Sequence, residues 1–400
     1  MSLVSVLLKP GEADRIVAGH PWIYSNSVLR LTGPVTDGDL VQVKDHRQRL
    51  LGTGFYNSRS KIVVRILDRD RIEPNHSFFR QRIAAALAHR QRWMPGATSY
   101  RLVNAESDFL SGLIVDRYED VLVIQISSLG MELRKSTIVE VLKDLVDPRA
   151  ILERSDTASR KFEGLAEAQG LICGEPVGEI PVDLNGIQFL TNLSEGHKTG
   201  MYLDQQVNYA AVGELAKGAH EVLDCFSFAG GFALHAAQAG AKRVHALDQS
   251  ADAVATAQRN ATANGLADRV EFETANVFDW LKARTAVGPN EKVIPRYDLI
   301  ILDPPSFTRN RASVPDALRG YKEIHLRALR LLKPGGLLST FCCSHHVDRV
   351  LFEDVILAAA IDTRVILRRV ASHSQSPDHP VVPSIPETEY LKGFTYERVA

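Results

Sequence analysis

The sequence predicts an α/β fold. A mostly parallel, doubly wound sheet of seven strands fills the C-terminal half, preceded by a small β-barrel module and a central α+β unit. Three observations point there. The first is the stretch from Glu221 to Asp248, where an apolar run (Val222, Leu223), a turn with Gly230 and Gly231, an alanine-rich segment of helical spacing and a second short run make one strand, turn, helix, strand unit. The second is that this alternation continues to Ile361 and ends in two runs, Val365 to Ala371 and Glu389 to Val399, that can pair as an antiparallel edge. The third is a different texture before residue 75, where short alternating runs are broken by Pro10-Gly11, Gly33-Pro34 and Asp37-Gly38.

A chain of 400 residues has room for two or three domains, each with its own core. We divide it at 1–74, 75–190 and 191–400. In the first part the runs Ser2 to Leu8, Asp39 to Val43, Leu51 to Tyr56 and Ile62 to Leu67 read as strands of a small barrel. This part carries a net charge of +3, against −1 for the whole chain, so RNA contact is expected from a local patch and not from a globally basic surface. In the second part Phe78 to Met94 has helical periodicity, and its arginines (Arg80, Arg82, Arg90, Arg92) read as a solvated face. Runs on either side of Tyr118 to Asp120 form a hairpin, Leu133 to Leu145 a helix, and Ala150 to Arg154 and Ile180 to Leu190 further strands. This unit is expected to support and not to react.

In the third part Asp204-Gln205-Gln206 begins a helix. Beyond Asp248 come helices at Ala251 to Asn264, Val277 to Arg284, Pro315 to Leu332 and Leu351 to Ile361. They alternate with strands at Val270 to Glu273, Tyr297 to Asp303 and Leu337 to Cys343. Thr285 to Arg296, with Gly288-Pro289 and Pro295, reads as a mobile insert. The four cysteines (Cys173, Cys225, Cys342, Cys343) lack CxxC spacing, which argues against a disulfide framework or a zinc site. No apolar stretch reaches the length of a membrane span and no signal sequence opens the chain, so the cytosol is the expected compartment.

The residues that carry chemistry fall at strand ends, where open α/β sheets bind ligands. Gly230 and Gly231 allow close backbone approach after the strand ending near Asp224. Asp248 follows at the spacing, about 20 residues, at which such folds hold a ribose. The GxGxxG of dinucleotide sites is missing, which favours S-adenosylmethionine, a ribose-bearing cofactor without phosphate. Gly196, Lys198, Thr199 and Gly200 form a polar loop that reads either as a lid over the amino-acid end of that cofactor or as a surface loop before a helix. Asp303-Pro304-Pro305-Ser306-Phe307 ends an apolar strand. Two prolines there remove backbone donors and leave carbonyls to meet a base, and Phe307 offers a stacking face.

The next strand ends Cys342-Cys343-Ser344. Carbon 5 of a pyrimidine attacks a sulfonium methyl only once a thiolate has added to carbon 6. Alternation along the strand assigns that thiolate to Cys343 and turns Cys342 toward the interior. Asp303 is the acid placed to bond nitrogen 3 of the ring. For the base that removes the carbon 5 proton, His345, His346 and His379 are candidates by type alone.

Together these segments resemble the large-subunit rRNA cytosine-C5 methyltransferase I family. The resemblance rests on a PUA-like opening (Leu8 to Val28), ERSD (Glu153 to Asp156), GHKTGMYLDQ (Gly196 to Gln205), DCFSFAGGF (Asp224 to Phe232), LDPPSF (Leu302 to Phe307), RGYKEIH (Arg319 to His325), CCS (Cys342 to Ser344), DHP (Asp378 to Pro380) and YLKG (Tyr390 to Gly393). It implies a PUA domain, a central α+β domain and a Rossmann-like class I methyltransferase domain. It also implies 23S rRNA as substrate, a motif cysteine at Cys343, cofactor contacts from Phe226 and the Asn276 segment, and a homodimer. The chain departs from the family pattern at Gln206, where members carry Arg, and near Asn276, where they carry an acidic residue. Two other readings stay open on the residues: a guanine-N7 or amine-nitrogen rRNA methyltransferase, since DPPxF-type motifs serve such reactions without a cysteine, and a non-catalytic RNA-binding assembly factor.

Overall fold

In the computed structural model, which describes residues 3–194, 200–287, 292–308 and 310–399, the short runs at the start of the chain form β1 (Ser5–Leu8), β2 (Trp22–Tyr24), β3 (Val28–Leu31), β4 (Leu40–Lys44), β5 (Leu50–Tyr56) and β6 (Ile62–Asp68), with one helical turn, α1 (Asp14–Val17), after β1. They make a six-stranded sheet in the order β2-β6-β5-β4-β1-β3 around a core that includes Val6, Leu8, Ile23, Val41, Val43 and Val64. Three- and four-residue strands such as β2 and β3 are too short to show alternation, which is why the sequence reading passes over them.

The central segment builds a second sheet, in the order β11-β10-β9-β8-β7, from β7 (Ser99–Asn104), β8 (Leu113–Tyr118), β9 (Val121–Ile126), β10 (Ala150–Ser155) and β11 (Ala168–Gly174). Helix α2 (His76–Trp93) packs Phe79 and Ile83 into the core of this sheet, and α4 (Lys135–Val146), after the single turn α3 (Leu129–Glu132), adds Ile138 and Leu142. Asn75 starts α2 by accepting the amide of Phe78.

One arginine of α2 is not on a solvated face. Arg90 is fully buried, its guanidinium forked on Asp108 (2.6 and 2.8 Å) and donating to the carbonyls of Arg101 (2.8 Å) and Asp378 (2.7 Å). Its partners lie far along the chain, and periodicity carries no sign of them. A hairpin of β12 (Glu179–Leu184) and β13 (Ile187–Asn192) follows.

The chain packs as two compact units, one of Met1–Asp183, Thr191–Leu203 and Pro377–Thr388, the other of Leu184–Leu190, Asp204–Ser376 and Glu389–Ala400. The second unit holds α5 (Gln206–Leu215), β14 (Glu221–Cys225), α6 (Gly231–Gln238), β15 (Arg243–Asp248), α7 (Ala251–Ala263), β16 (Val270–Thr274), α8 (Val277–Thr285), β17 (Tyr297–Leu302), α9 (Val314–Leu331), β18 (Leu332–Cys342), α10 (Arg349–Thr363), β19 (Leu367–Ser374) and β20 (Lys392–Arg398). The expected seven-stranded sheet is present, in the order β16-β15-β14-β17-β18-β20-β19. The strands from β14 to β18 run parallel, and β20 runs antiparallel to both of its neighbours.

Capping residues set the helix starts. Ser250 accepts from Ala253 N, Asn276 from Asp279 N and Asp348 from Leu351 N, and a proline falls in the first turn of α9. Part of the insert expected at Thr285 to Arg296 lies outside the described residues.

Candidate functional site

Strand order reverses between β14 and β17, and the carboxyl ends of the parallel strands surround that switch point. Register puts the ends on one level. Cys225 is level with Leu247 and Leu302, and Leu302 with Thr340. Phe226, Asp248 and Asp303 therefore follow as a row, and Cys343 stands three residues past Thr340 at the end of the neighbouring strand.

The loop after β14 is held in an unusual shape. Phe226 and Phe228 both have positive φ, +67° and +48°, a conformation that costs of order 1–3 kcal/mol for a bulky residue and clusters at binding sites. Asp248 stabilises it, one carboxylate oxygen accepting from Phe228 N (2.9 Å) and the other from Ser250 N (2.9 Å). Each oxygen keeps a lone pair for a hydroxyl. Gly230, at φ +90°, starts α6; a Cβ on it would lie 3.2 Å from the Phe272 ring, and one on Gly231 would lie 2.6 Å from that of Tyr209. Gly231 is thus required by the Tyr209 ring and Gly230 by its left-handed backbone, and not only by room for a ligand as the sequence suggests.

Beneath this loop Asp224 is fully buried, and neither carboxylate oxygen makes a hydrogen bond of ordinary geometry among the described residues, although the Ala233 amide still favours its charged form; Ser227 Oγ is also without a partner among them. Burial, then the charge of Asp303, then that of Asp248 push the Asp224 carboxyl well above the usual range. A buried acid with unmet acceptors beside two further carboxylates is a place for a cation. S-adenosylmethionine brings two, its sulfonium and its ammonium, together with a ribose diol for Asp248. The residues present fit that cofactor. Asn276 is exposed and caps α8, close in sequence to Phe278.

On β17 the DPPSF turn places Pro304 inside and Pro305 outside. Asp303 accepts from Gln205 Nε2 at 3.1 Å, and Gln205 is itself fixed by Asn208 Nδ2 at 2.6 Å. Gln205 and Asn208 are each 3% exposed, so the carboxylate is aimed by a buried amide pair that the sequence reading took only as a helix start. Phe307 is half-buried, its ring 4.7 Å from Tyr321 and 5.8 Å from Phe278 between centroids. Much of its surface is therefore engaged with protein.

At the end of β18 Cys342 is buried in the apolar core and Cys343 is part-exposed, neither in a disulfide. Ser344 links this end to its neighbours through its hydroxyl, 2.9 Å from Ser306 Oγ and 3.1 Å from the hydroxyl of Tyr321. Burial among these groups drives the Tyr321 phenol strongly upward, so it stays protonated. Tyr321, Ser306, Ser344 and Lys392, whose Nζ donates to the Ser344 carbonyl (2.7 Å), have no local signal in sequence beyond the motifs that contain them.

The second unit thus brings together Asp224, Phe226, Gly230, Gly231, Asp248, Asn276, Asp303, Pro304, Pro305, Phe307 and Cys343. Lys198 and Thr199 lie outside the described residues. Gly200 belongs to the first unit, where a Cβ would lie 3.0 Å from the ring of Tyr118. Of the candidate bases, His345 and His346 are exposed. His379 is buried in the first unit, its Nδ1 2.9 Å from Asp378.

The family model of an S-adenosylmethionine-dependent methyltransferase matches residues 160–388, which hold the carboxyl ends of β14 to β18, and this gives the class of protein. A PUA-like domain model matches residues 6–69. Among curated relatives, the ribosomal RNA large subunit methyltransferase I of Shewanella denitrificans is 42% identical over 98% of both chains, and that of Salmonella arizonae is 37% identical over 97% of this chain and 96% of its own. The chain belongs to the ribosomal RNA large subunit methyltransferase I family.

Among solved structures, SMU.776 complexed with SAH superposes at TM-score 0.83 with 21% identity, covering 99% of this chain and 100% of that one. A Streptococcus mutans structure described as a SAM-dependent methyltransferase does so at 0.82, with 21% identity and the same coverage. At that identity the likeness concerns the fold. The cofactor is S-adenosylmethionine, and the protein is a methyltransferase of large-subunit rRNA. Among the described residues no helix is long and apolar enough to cross a membrane.

Proposed function

We propose that the chain forms 5-methylcytosine in 23S rRNA through a covalent adduct on Cys343. The observation that carries this reading is the end of β18, where a part-exposed thiol stands at the carboxyl end of the strand next to Asp303 while its neighbour Cys342 is committed to the core.

In this reading Asp224 meets the cationic end of the cofactor, Asp248 its ribose, and Phe226 and the Asn276 segment its adenine. Bound there, S-adenosylmethionine supplies an electrophilic methyl group on sulfur. Asp303, aimed by Gln205, takes up a proton when the base binds and donates it in a hydrogen bond to nitrogen 3 of the cytosine, which draws electrons from carbon 6. The Cys343 thiolate adds to carbon 6, and the displaced electron pair makes carbon 5 nucleophilic enough to take the methyl. Water acting as base takes the carbon 5 proton, and the electron pair left behind restores the double bond and expels the thiolate. Pro304, Pro305 and Phe307 shape the rim on which the base rests. The PUA-like sheet, as a local basic module, contacts the RNA. We keep 1–74, 75–190 and 191–400 as the functional division; a homodimer rests on family resemblance.

The test is Cys343→Ala. Methyl transfer to large-subunit RNA falls below about one-thousandth of wild type, while cofactor affinity by calorimetry stays within about twofold. Normal transfer by this variant rules out the adduct. Mass spectrometry of the product nucleosides then separates 5-methylcytosine from 7-methylguanine and from a methylated amine.

A further inference from the structure

The Tyr390-Leu391-Lys392-Gly393 motif has so far been given no chemistry. Lys392 is the first residue of β20 and pairs in register with Cys342 of β18. The two strands are pressed together at this point, since a Cβ on Gly393 would lie 2.5 Å from the Phe341 ring. The lysine is 5% exposed, and its Nζ reaches along the strand end to the Ser344 carbonyl at 2.7 Å. Its side chain therefore starts on the face of Cys342 and ends at the Ser344 carbonyl, one residue past Cys343 at the end of β18.

A buried ammonium ordinarily has a carboxylate for company. Among the described residues none lies within ion-pair distance of Lys392, and its one hydrogen bond is to a neutral carbonyl. The titratable and charged groups that act on it and on Cys343 are the Cys342 and Cys343 thiols of β18 and its end, Tyr321 from α9 beyond them, Glu389 just before β20, Arg349 from α10, and Asp303 at the end of the adjacent β17, whose negative charge opposes a thiolate. Burial pushes the ammonium's affinity for its proton down. Charge on the two thiols, Cys342 first and then Cys343, pulls it back up, and Glu389 adds to this while Arg349 opposes. Such coupling is reciprocal, so a cation that a thiolate stabilises also stabilises the thiolate. Cys342 is sealed in apolar core, where a charge is costly. Cys343 is part-exposed and can bear it.

We propose that Lys392 is a positioning residue that holds the Cys343 thiol as a thiolate, ready for addition, by placing a buried ammonium beside the end of β18. This rests on the reading of Cys343 as the nucleophile. It assigns to β20, which carries none of the cofactor residues, a part in activating the attack.

The measurement is the pH dependence of Cys343 alkylation by iodoacetamide in the full-length protein, followed by mass spectrometry with fragment ions that divide Cys342 from Cys343 within their shared peptide, so that Cys173, Cys225 and Cys342 do not contribute. Wild type gives a midpoint about one unit or more below the ordinary thiol value of about 8.5. Lys392→Met moves the midpoint up by about one unit or more and shifts the acid limb of the pH–kcat profile with it, leaving KM for RNA within about twofold. Lys392→Arg, which keeps a cation, restores the low midpoint.

A wild-type midpoint at or above about 8.5 overturns the proposal even if Lys392→Met does not fold, and so does an unshifted midpoint in a folded Lys392→Met. An active Cys343→Ala overturns the nucleophile instead, whatever the alkylation profile. The two failures are therefore told apart.

Discussion

Arg90 offers the sharpest test of how the first unit is held together. Its five donor hydrogens serve Asp108 twice and the carbonyls of Ala86, Arg101 and Asp378, all from a fully buried position. Replacing it by Met keeps the bulk and removes the charge. The Asp108 side chain, 8% exposed, is then left without its cation. Removing one partner of a buried pair costs about 3–5 kcal/mol. Asp108 keeps a 2.6 Å bond from Asn104 N, so the lower end, about 3 kcal/mol, is expected.

Two amides report this locally. Arg101 N donates to Asp378 Oδ2 and Asn104 N to Asp108 Oδ2. In Arg90→Met their hydrogen-exchange protection falls by about 100-fold, the equivalent of about 3 kcal/mol. Adding Asp108→Asn removes the stranded charge and recovers about 1 kcal/mol or more. A loss below about 1 kcal/mol in the single variant, or no recovery in the double, refutes the reasoning and returns Arg90 to the solvated face that helical spacing alone assigns it.

Two further outcomes follow from the second unit. Asp248→Ala removes the acceptor offered to a ribose and the anchor of the Phe228 amide, and is expected to weaken S-adenosylmethionine binding about 10- to 100-fold by calorimetry, the size of one or two charge-assisted hydrogen bonds; unchanged affinity excludes the ribose role. His325 is buried between the Tyr321 carbonyl and Thr340 Oγ1, and desolvation lowers its pKa to about 4. The unfolded chain takes up its proton near pH 6.5 and the folded chain only near 4, so stability is full above 6.5 and is lost as pH falls between these values. That is about 2 kcal/mol by pH 5. His325→Gln flattens this dependence in urea unfolding compared at pH 7 and pH 5, and an equal slope in both proteins contradicts it.

The second unit was legible because its signal is local and repeated. Apolar runs alternate with helical segments five times, and four of the five runs end in a residue whose chemistry is visible where it stands: Asp224, Asp248, Asp303, Cys343. What stayed hidden depends on partners distant in sequence. Gln205 looks like the start of a helix until Asp303 is brought to it, Lys392 like part of a strand until it meets the Ser344 carbonyl, and Arg90 like surface until Asp108 and Asp378 close over it. β11, a seven-residue strand with little alternation in its burial, escaped for want of a pattern. The glycine pair shows the opposite case: the turn before a helix falls where the sequence places it, but the Tyr209 ring that excludes a Cβ at Gly231 comes from another element and leaves no local sign.

The covalent chemistry is tested most directly by trapping. Full-length protein is incubated with S-adenosylmethionine and large-subunit RNA carrying 5-fluorocytidine, whose fluorine cannot leave as the carbon 5 proton does. The account predicts a stable protein–RNA species whose digestion yields a methylated fluoropyrimidine bound to the peptide containing Cys343. Methylated product with no adduct, or an adduct on any other residue, would contradict it.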